Sequence, residues 1–235
     1  MRTIAYHTHQ GFGDLIVCSP IVNFLSELDD TKVVFVTRSE SYAKNIKRFC
    51  KPQVDIVVVD GYPQATDDFH PVDEVKLINT WASKNNYLLM RSGFSRFKIE
   101  PNLPWDFYFY KNVAIDYSIK TSHFYLERNI VKEKEILDYF SIKENEPYAF
   151  VHDDEKRNFK LSPQTDLRII KNDDKFDIAD MLPVMSNAKE LHLMGSSLIC
   201  FADLLQLPNQ NQIAYYYTLR GELPFRGKEK WIMVR

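Results

Sequence analysis

Near the start of the chain, Gln10-Gly11-Phe12-Gly13-Asp14 combines a turn that can hold an anion or a polar oxygen with a carboxylate at a helix start. Two glycines permit a tight turn and close backbone approach, and unbonded N–H groups at a helix start favour negative charge. Asp14 stands where open α/β folds place their ligands or else caps the helix, and the residue types alone leave both readings open. His7 and His9 lie two apart, so a strand would turn both rings to one face, a spacing that suits zinc or a polar wall around a hydroxylated ligand. No third zinc ligand stands near them. In the second half, Lys156 and Arg157 bring two cations to one loop, and Gly195-Ser196-Ser197 puts two hydroxyls at the start of an apolar helix. Both patterns suit a phosphate, although a solvated loop and a serine cap at Ser197 account for the same residues. His152 beside Asp153 and Asp154 adds titratable groups that are metal-like in composition and equally ordinary in a solvated loop.

Several motifs are excluded. After Gly11 and Gly13 the third glycine position of a dinucleotide fingerprint is Ile16, no Gly-Lys-Ser/Thr follows, and no Gly-x-Ser-x-Gly elbow occurs.

These groups need a scaffold that brings strand ends and helix starts to one edge. Thr3 to Thr8, Lys32 to Thr37 and Val54 to Asp60 read as strands, with helices from Leu15 to Leu28 and from Ser39 to Cys50 between them. Pro20 removes one helical hydrogen bond, so a kink or a late helix start is expected there. A third helix over Val72 to Lys84 and a fourth strand over Tyr87 to Arg91 complete a parallel pattern. An aromatic-rich stretch follows, with Pro101 and Pro104 before a helix around Trp105 to Ala114. That stretch can cover a cleft or connect lobes, and its aromatic cluster from Trp105 to Tyr110 suits packing better than stacking on a ligand. The alternation then restarts: helix Glu127 to Phe140, strands Tyr148 to His152 and Leu167 to Lys171, helix Asp177 to Ala188, strand Glu190 to Gly195, helix Ser197 to Leu207 and strand Gln212 to Thr218. The apolar patch Trp231 to Val234 is expected to dock back on one of the units.

Composition sets the outer limits. With 235 residues, 45% apolar, 14% aromatic and only seven glycines, the chain is neither low-complexity nor disordered, and two units of ordinary size fit its length. A net charge of −2, without basic excess in either half, gives no footprint for nucleic acid. Three widely spaced cysteines argue against a disulfide framework, and with no export segment they make the cytoplasm the expected compartment. No apolar run approaches the roughly 20 residues of a membrane span, which leaves peripheral association as the closest membrane contact expected.

The run GFGDLIVCSPIVNFL resembles the N-terminal signature of the heptosyltransferase-like glycosyltransferases, glycosyltransferase family 9, in which a strand leads into Gly-x-Gly-Asp, a helix, and a proline six residues after the aspartate. Pro20 holds that place. YAFVHDDEKRNFK (residues 148–160) is similar to the first strand and basic loop of the donor lobe, and LHLMGSSLICFADLL (residues 191–205) to its phosphate-binding strand, turn and helix. The resemblance implies an α/β fold of two Rossmann-like lobes facing a cleft, the GT-B arrangement, divided here as 1–122 and 123–235. It implies inverting transfer of a sugar from a nucleoside-diphosphate donor to a hydroxyl of a glycan acceptor. Asp14 would be the base, with His7, His9, Gln10 and Gly13 around the acceptor. His152, Lys156, Arg157, Gly195, Ser196 and Ser197 would hold the donor, with no resident cofactor and no metal. Cys200 or Phe201 stands where the family often has a histidine, so the sugar stays open. Two rivals remain: a non-catalytic nucleotide-sugar or glycan-binding protein of the same fold, and a Rossmann-like enzyme acting on a nucleotide, whose phosphate loop is missing.

Overall fold

Short β-branched runs and helix-spaced segments alternate twice along the chain, and each series closes into its own parallel sheet. The computed structural model describes residues 1–8, 11–61, 71–93, 103–155, 159–207, 212–217 and 231–234, with 71 and 72 described by their backbone alone. One unit takes Met1–Lys98 and Asp106–Glu127, the other Ile99–Trp105 and Arg128–Arg235.

The first unit contains β1 (Arg2–Thr8), α1 (Phe12–Leu25), β2 (Thr31–Thr37), α2 (Glu40–Lys47), β3 (Val54–Val58), α3 (Pro71–Lys84) and β4 (Leu88–Ser92). Its strands lie in the order β3-β2-β1-β4, all parallel. Both faces of β1 are buried, so the alternation of its side chains decides which helix each one meets. Thr8 accepts a hydrogen bond from Cys18 of α1. Ala5 instead packs with Ile78 and Trp81 of α3, and His7 bonds Glu74 of the same helix.

Helix α1 is apolar all round, with Leu15 to Asn23 buried without a break, and such a helix needs cover on its outer side. The aromatic-rich stretch supplies it through α4 (Phe107–Asn112) and α5 (Ile119–Ser122). The Tyr110 hydroxyl donates to the Val17 carbonyl at 2.9 Å, and Asn23 Nδ2 donates to the carbonyls of Phe49 and His123 at 3.0 and 3.1 Å. Buried Asp106 and Lys120 pair at 2.9 Å, and the Tyr117 hydroxyl donates to Asp106 at 3.0 Å. Tyr108, Phe109 and Tyr110 of the aromatic cluster are thus packing for the first unit. Glu127 N–H donates to the Arg48 carbonyl at 2.7 Å, which keeps the chain on this unit up to that point.

The late start expected for α1 does not occur, since the helix runs from Phe12 straight through Pro20. A proline cannot donate to the carbonyl four residues back, here Ile16. The Ser19 hydroxyl donates to that carbonyl at 2.8 Å and replaces the missing bond.

The second unit contains α6 (Ile130–Tyr139), β5 (Tyr148–His152), β6 (Arg168–Lys171), a 3-10 turn (Ile178–Met181), α7 (Leu182–Asn187), β7 (Glu190–Met194), α8 (Ser197–Leu204), β8 (Ile213–Tyr217) and β9 (Trp231–Val234). The strand order is β6-β5-β7-β8-β9, again all parallel. The single helix expected over Asp177 to Ala188 is split. Pro183 breaks hydrogen bonding inside a helix and fits only a first turn, so the chain makes a 3-10 turn and restarts as α7. The apolar tail does more than dock: it pairs with β8 in register from Ala214↔Trp231 to Tyr217↔Val234 as the fifth strand.

Candidate functional site

In an open parallel sheet, ligands bind at the carboxyl ends of the strands where the strand order reverses. In the first unit that point lies between β1, which is followed in the chain by β2 on one side, and β4 on the other. The strand ends there are Thr8 and Ser92, paired in register, and the Gly11–Asp14 turn rises directly beyond β1.

Asp14 is the third residue of α1 and half-buried. Its Oδ2 accepts from the Gly11 N–H at 2.9 Å, and its own N–H donates to the Gly11 carbonyl at 3.1 Å. This reciprocal pair orients the carboxylate as in a capping box. Gly11 sits at φ −78°, ψ 146°, extended backbone open to any residue. Space, not conformation, is what glycine provides: a β-carbon at this position would come 2.7 Å from Asp14 Oδ2 and displace that carboxylate. Gly13 belongs to the first turn of α1.

Beneath the turn lies a floor of neutral polar groups. The Tyr6 hydroxyl and Ser92 Oγ are 2.6 Å apart, Ser92 Oγ donates to Thr8 Oγ1 at 3.4 Å, and Cys18 Sγ reaches Thr8 and Ser92 at 3.4 and 3.7 Å. Burial pushes the Cys18 thiol up to about 12 and the Tyr6 phenol well above its ordinary value, so both stay protonated donors. No disulfide joins Cys18, Cys50 and Cys200, all of which are buried.

His7 lies on the opposite face of β1 from Thr8. Its ring is 1% exposed; Nε2 meets Glu74 Oε1 at 2.7 Å, and Arg91 Nε donates to Nδ1 at 3.3 Å. With Nδ1 accepting, Nε2 carries the proton and donates to the fully buried Glu74. Arg91 also donates to Asn79 Oδ1 at 3.1 Å. The partners of His7 on α3 and β4 carried no signal in the sequence. His9 and Gln10 lie outside the described residues.

In the second unit the reversal falls between β5 and β7, with β6 on the far side of β5. His152 ends β5 in register with Leu193, and Gly195-Ser196-Ser197 leaves β7 beside it. The helix cap is Ser196 and not Ser197: its backbone is extended and its hydroxyl oxygen accepts from Leu198 N–H at 3.2 Å. Ser197 is the first residue of α8. Gly195 N–H donates to the Tyr217 carbonyl at 3.1 Å, and a β-carbon on Gly195 would press the Tyr216 hydroxyl at 3.1 Å.

The loop after β5 is organised by Asp153, which is 9% exposed and so not simply solvated. It accepts from Leu161 N–H at 3.2 Å and from Lys171 Nζ at 2.8 Å. Asp154 and Phe159 exchange backbone hydrogen bonds at 2.8 and 2.9 Å, and Lys156 and Arg157 come between them in the sequence. Those two residues lie outside the described residues. Lys171 was missed because a lysine ending a short strand looks like any solvated charge. His192 was missed likewise; it is stacked on Tyr215 at 4.5 Å, with Nδ1 2.9 Å from the Tyr217 hydroxyl and Nε2 3.1 Å from Glu190.

Among the described residues no three His, Cys, Asp or Glu side chains converge on a point that could hold a metal. No described helix is long and apolar enough to cross a membrane.

Burial holds His123, His152 and His192 below the ordinary histidine value, helped at His123 by the Lys51 charge and opposed at His152 and His192 by Asn172 and Glu190 respectively. In the unfolded chain these rings titrate near about 6.5. Below that value the unfolded chain binds protons that the fold refuses, so stability is full above it and falls as the pH drops towards the folded values. Urea unfolding at pH 7.5, 6.5 and 5.5 is expected to give successively lower midpoints. A midpoint that rises on acidification refutes this account.

Two Rossmann-like α/β units in series, each with a helix start at its sheet's reversal point, make up the GT-B class of fold. Within that class, the glycosyl transferase family 9 structure from Veillonella parvula DSM 2008 aligns with 99% of this chain and 86% of its own length, at a TM-score of 0.57 and 9% identity. The structure of E. coli ADP-heptose LPS heptosyltransferase II aligns with 100% of this chain and 90% of its own, at a TM-score of 0.55 and 9% identity. The chain therefore has the heptosyltransferase-like fold that its first motif resembles. No protein-family model and no curated protein matches the sequence.

Proposed function

We propose that this protein is a glycosyltransferase that moves a sugar from a nucleoside diphosphate to a hydroxyl of a glycan acceptor, with inversion and without a divalent metal. The observation that carries this reading is the coincidence of motif and topology. The Gly-x-Gly-Asp turn stands at the reversal point of the first sheet, and His152 with Gly195-Ser196-Ser197 stands at that of the second. The E. coli structure of the same fold bears a name that gives it ADP-heptose, a nucleoside-diphosphate sugar, and this chain's donor is read by analogy.

In the proposed reaction the acceptor oxygen forms a bond to the anomeric carbon as the bond from that carbon to the diphosphate breaks, and the hydroxyl proton passes to Asp14. Gly11 N–H holds one carboxylate oxygen, which aims the base. Negative charge gathers on the departing diphosphate. Lys156 and Arg157, the backbone N–H groups at the start of α8 and the Ser196 hydroxyl proton would stabilise it. Ser196 Oγ accepts from Leu198, so its own proton is available to a phosphate oxygen.

The test is a binding and transfer assay after exhaustive chelation. Arg157→Ala is expected to weaken binding of a nucleoside diphosphate by about 1.5 to 3 kcal/mol, the scale of a hydrogen bond to a charged group, and Lys156→Ala by less, because a point charge lacks the planar fork of arginine. Transfer is expected to persist in EDTA. Unchanged affinity in both variants removes the loop from the donor site, and loss of transfer in EDTA with rescue by one metal removes the mechanism. Saturable nucleotide binding with no turnover would identify a binding protein instead.

A further inference from the structure

We propose that Lys171 is a positioning residue for the donor: by holding Asp153 and Glu155 it keeps two carboxylates from competing with the diphosphate for Lys156 and Arg157. The proposal rests on the donor reading of the loop after β5 and adds to it a residue that acts through its neighbours.

Lys171 ends β6 and stands opposite Val151 in the parallel register, so its side chain reaches the residues that leave β5. Its Nζ lies 2.8 Å from Asp153 Oδ2 and 3.5 Å from Glu155 Oε1. Asp153 Oδ2 also accepts from Leu161 N–H at 3.2 Å, and Glu155 Oε1 lies 3.6 Å from Lys160 Nζ. One ammonium thus ties together the end of a neighbouring strand, the two acids on either side of Asp154 and, through Asp153, the backbone at Leu161. Of the ion pairs between described residues, this is the one in which a single cation serves two carboxylates; Lys32, Lys51, Lys120, Arg128 and Arg168 serve one each.

Charge decides what this contact is for. From Asp153 to Lys160 the sequence carries three acids, Asp153, Asp154 and Glu155, and three bases, Lys156, Arg157 and Lys160. Taken alone the segment is neutral, and opposite charges so close in sequence can satisfy one another before any ligand arrives. Lys171 comes from a different strand, adds a fourth cation and engages two of the acids. The carboxylates in return hold its ammonium above the ordinary lysine value, Asp153 chiefly by hydrogen bond, so it stays charged at neutral pH. The Asp153 side chain is only 7% exposed. A carboxylate that deep needs a cation, and without Lys171 the nearest in sequence are the bases of its own loop. An arginine forked onto a carboxylate must give up that bond before it takes a phosphate, which subtracts from the affinity.

The full chain is titrated by calorimetry with ADP, GDP, CDP and UDP, and the tightest binder is carried through the variants. Lys171→Met is expected to weaken it by about fivefold or more, the size of one added charge at the dielectric of a protein surface, and Lys171→Arg to keep the parent affinity. Lys189→Met removes the same charge just before the first residue of β7, at the amino edge of the sheet, and is expected to change nothing. The sharpest readout is a rescue. Asp153→Asn or Glu155→Gln, placed in the Lys171→Met background, removes a released acid and is expected to recover most of the lost affinity. A merely structural role predicts the opposite, because each second substitution takes away a further contact. Double variants that bind no better than Lys171→Met therefore overturn the proposal, as does Lys171→Met at the parent affinity. Glu155→Gln alone, an exposed change that needs no altered Lys171, is expected to bind at or above the parent affinity, and a loss there overturns the proposal as well. Nucleotide binding that ignores Lys171 rejects its positioning role and keeps the donor reading, whereas a parent that binds none of the four rejects the donor reading and this proposal with it.

Discussion

Asp14→Asn is expected to slow sugar transfer by about 10²- to 10⁴-fold, the usual contribution of a general base. The substitution is chosen for what it leaves in place. An asparagine side-chain oxygen can still accept from Gly11 N–H, the contact that Asp14 Oδ2 makes at 2.9 Å, so the start of α1 keeps its capping and only the basicity is removed. Melting temperature and nucleoside-diphosphate affinity should therefore stay near those of the parent while the initial rate collapses. Gly11→Ala probes the same arrangement from the other side, because its added carbon would sit 2.7 Å from the carboxylate oxygen and must displace it. Near-parent turnover by a well-folded Asp14→Asn protein would reduce the residue to a helix cap and require another base.

His7→Ala is expected to destabilise the protein by about 1 to 3 kcal/mol, the cost of leaving a buried acceptor without its hydrogen-bond donor. Glu74 is 0% exposed and His7 1%, and the two meet at 2.7 Å, so the alanine variant leaves a carboxylate inside the sheet–helix layer without that partner. Arg91 would lose its hydrogen bond to Nδ1 as well. Glu74→Gln separates charge from shape: it keeps an oxygen for the Nε2 proton and is expected to cost clearly less. Denaturant unfolding of the three proteins supplies the comparison. If His7→Ala unfolds at the parent's midpoint, the contact with Glu74 contributes nothing to stability, and His7 returns as a candidate for the acceptor wall.

The acceptor-side and donor-side motifs differ in how much of them can be read from local pattern. Gly11 and Asp14 are three apart in a strand-to-helix turn, and their reciprocal contact is a short-range matter. The same holds for Ser196, whose hydroxyl caps α8 two residues on. Pro20 announces a lost hydrogen bond, and Ser19, the residue beside it, supplies the replacement. The type and order of nearly all elements follow from local pattern, because a strand buried on two faces reads as a short β-branched run and a longer apolar segment at helical spacing reads as a helix. The split of the helix around Pro183 was available to the same reasoning, since a proline marks a first turn.

Packing decides the remainder. His7 lies on β1, yet whether it faces a ligand or a helix depends on α3 arriving with Glu74, 67 residues later. Asp153 and Lys171 meet because β5 and β6 are neighbours, which brings the residue after one strand and the last residue of the other into one part-buried contact. Trp231 to Val234 reads as a loose apolar tail and becomes a strand because β8 offers it a free edge. A turn or a cap is satisfied within a few residues by bonds whose geometry the backbone imposes, and so it is written locally. Strand order and cross-sheet pairing are settled by which of many apolar surfaces bury one another best, a choice made by the whole chain at once.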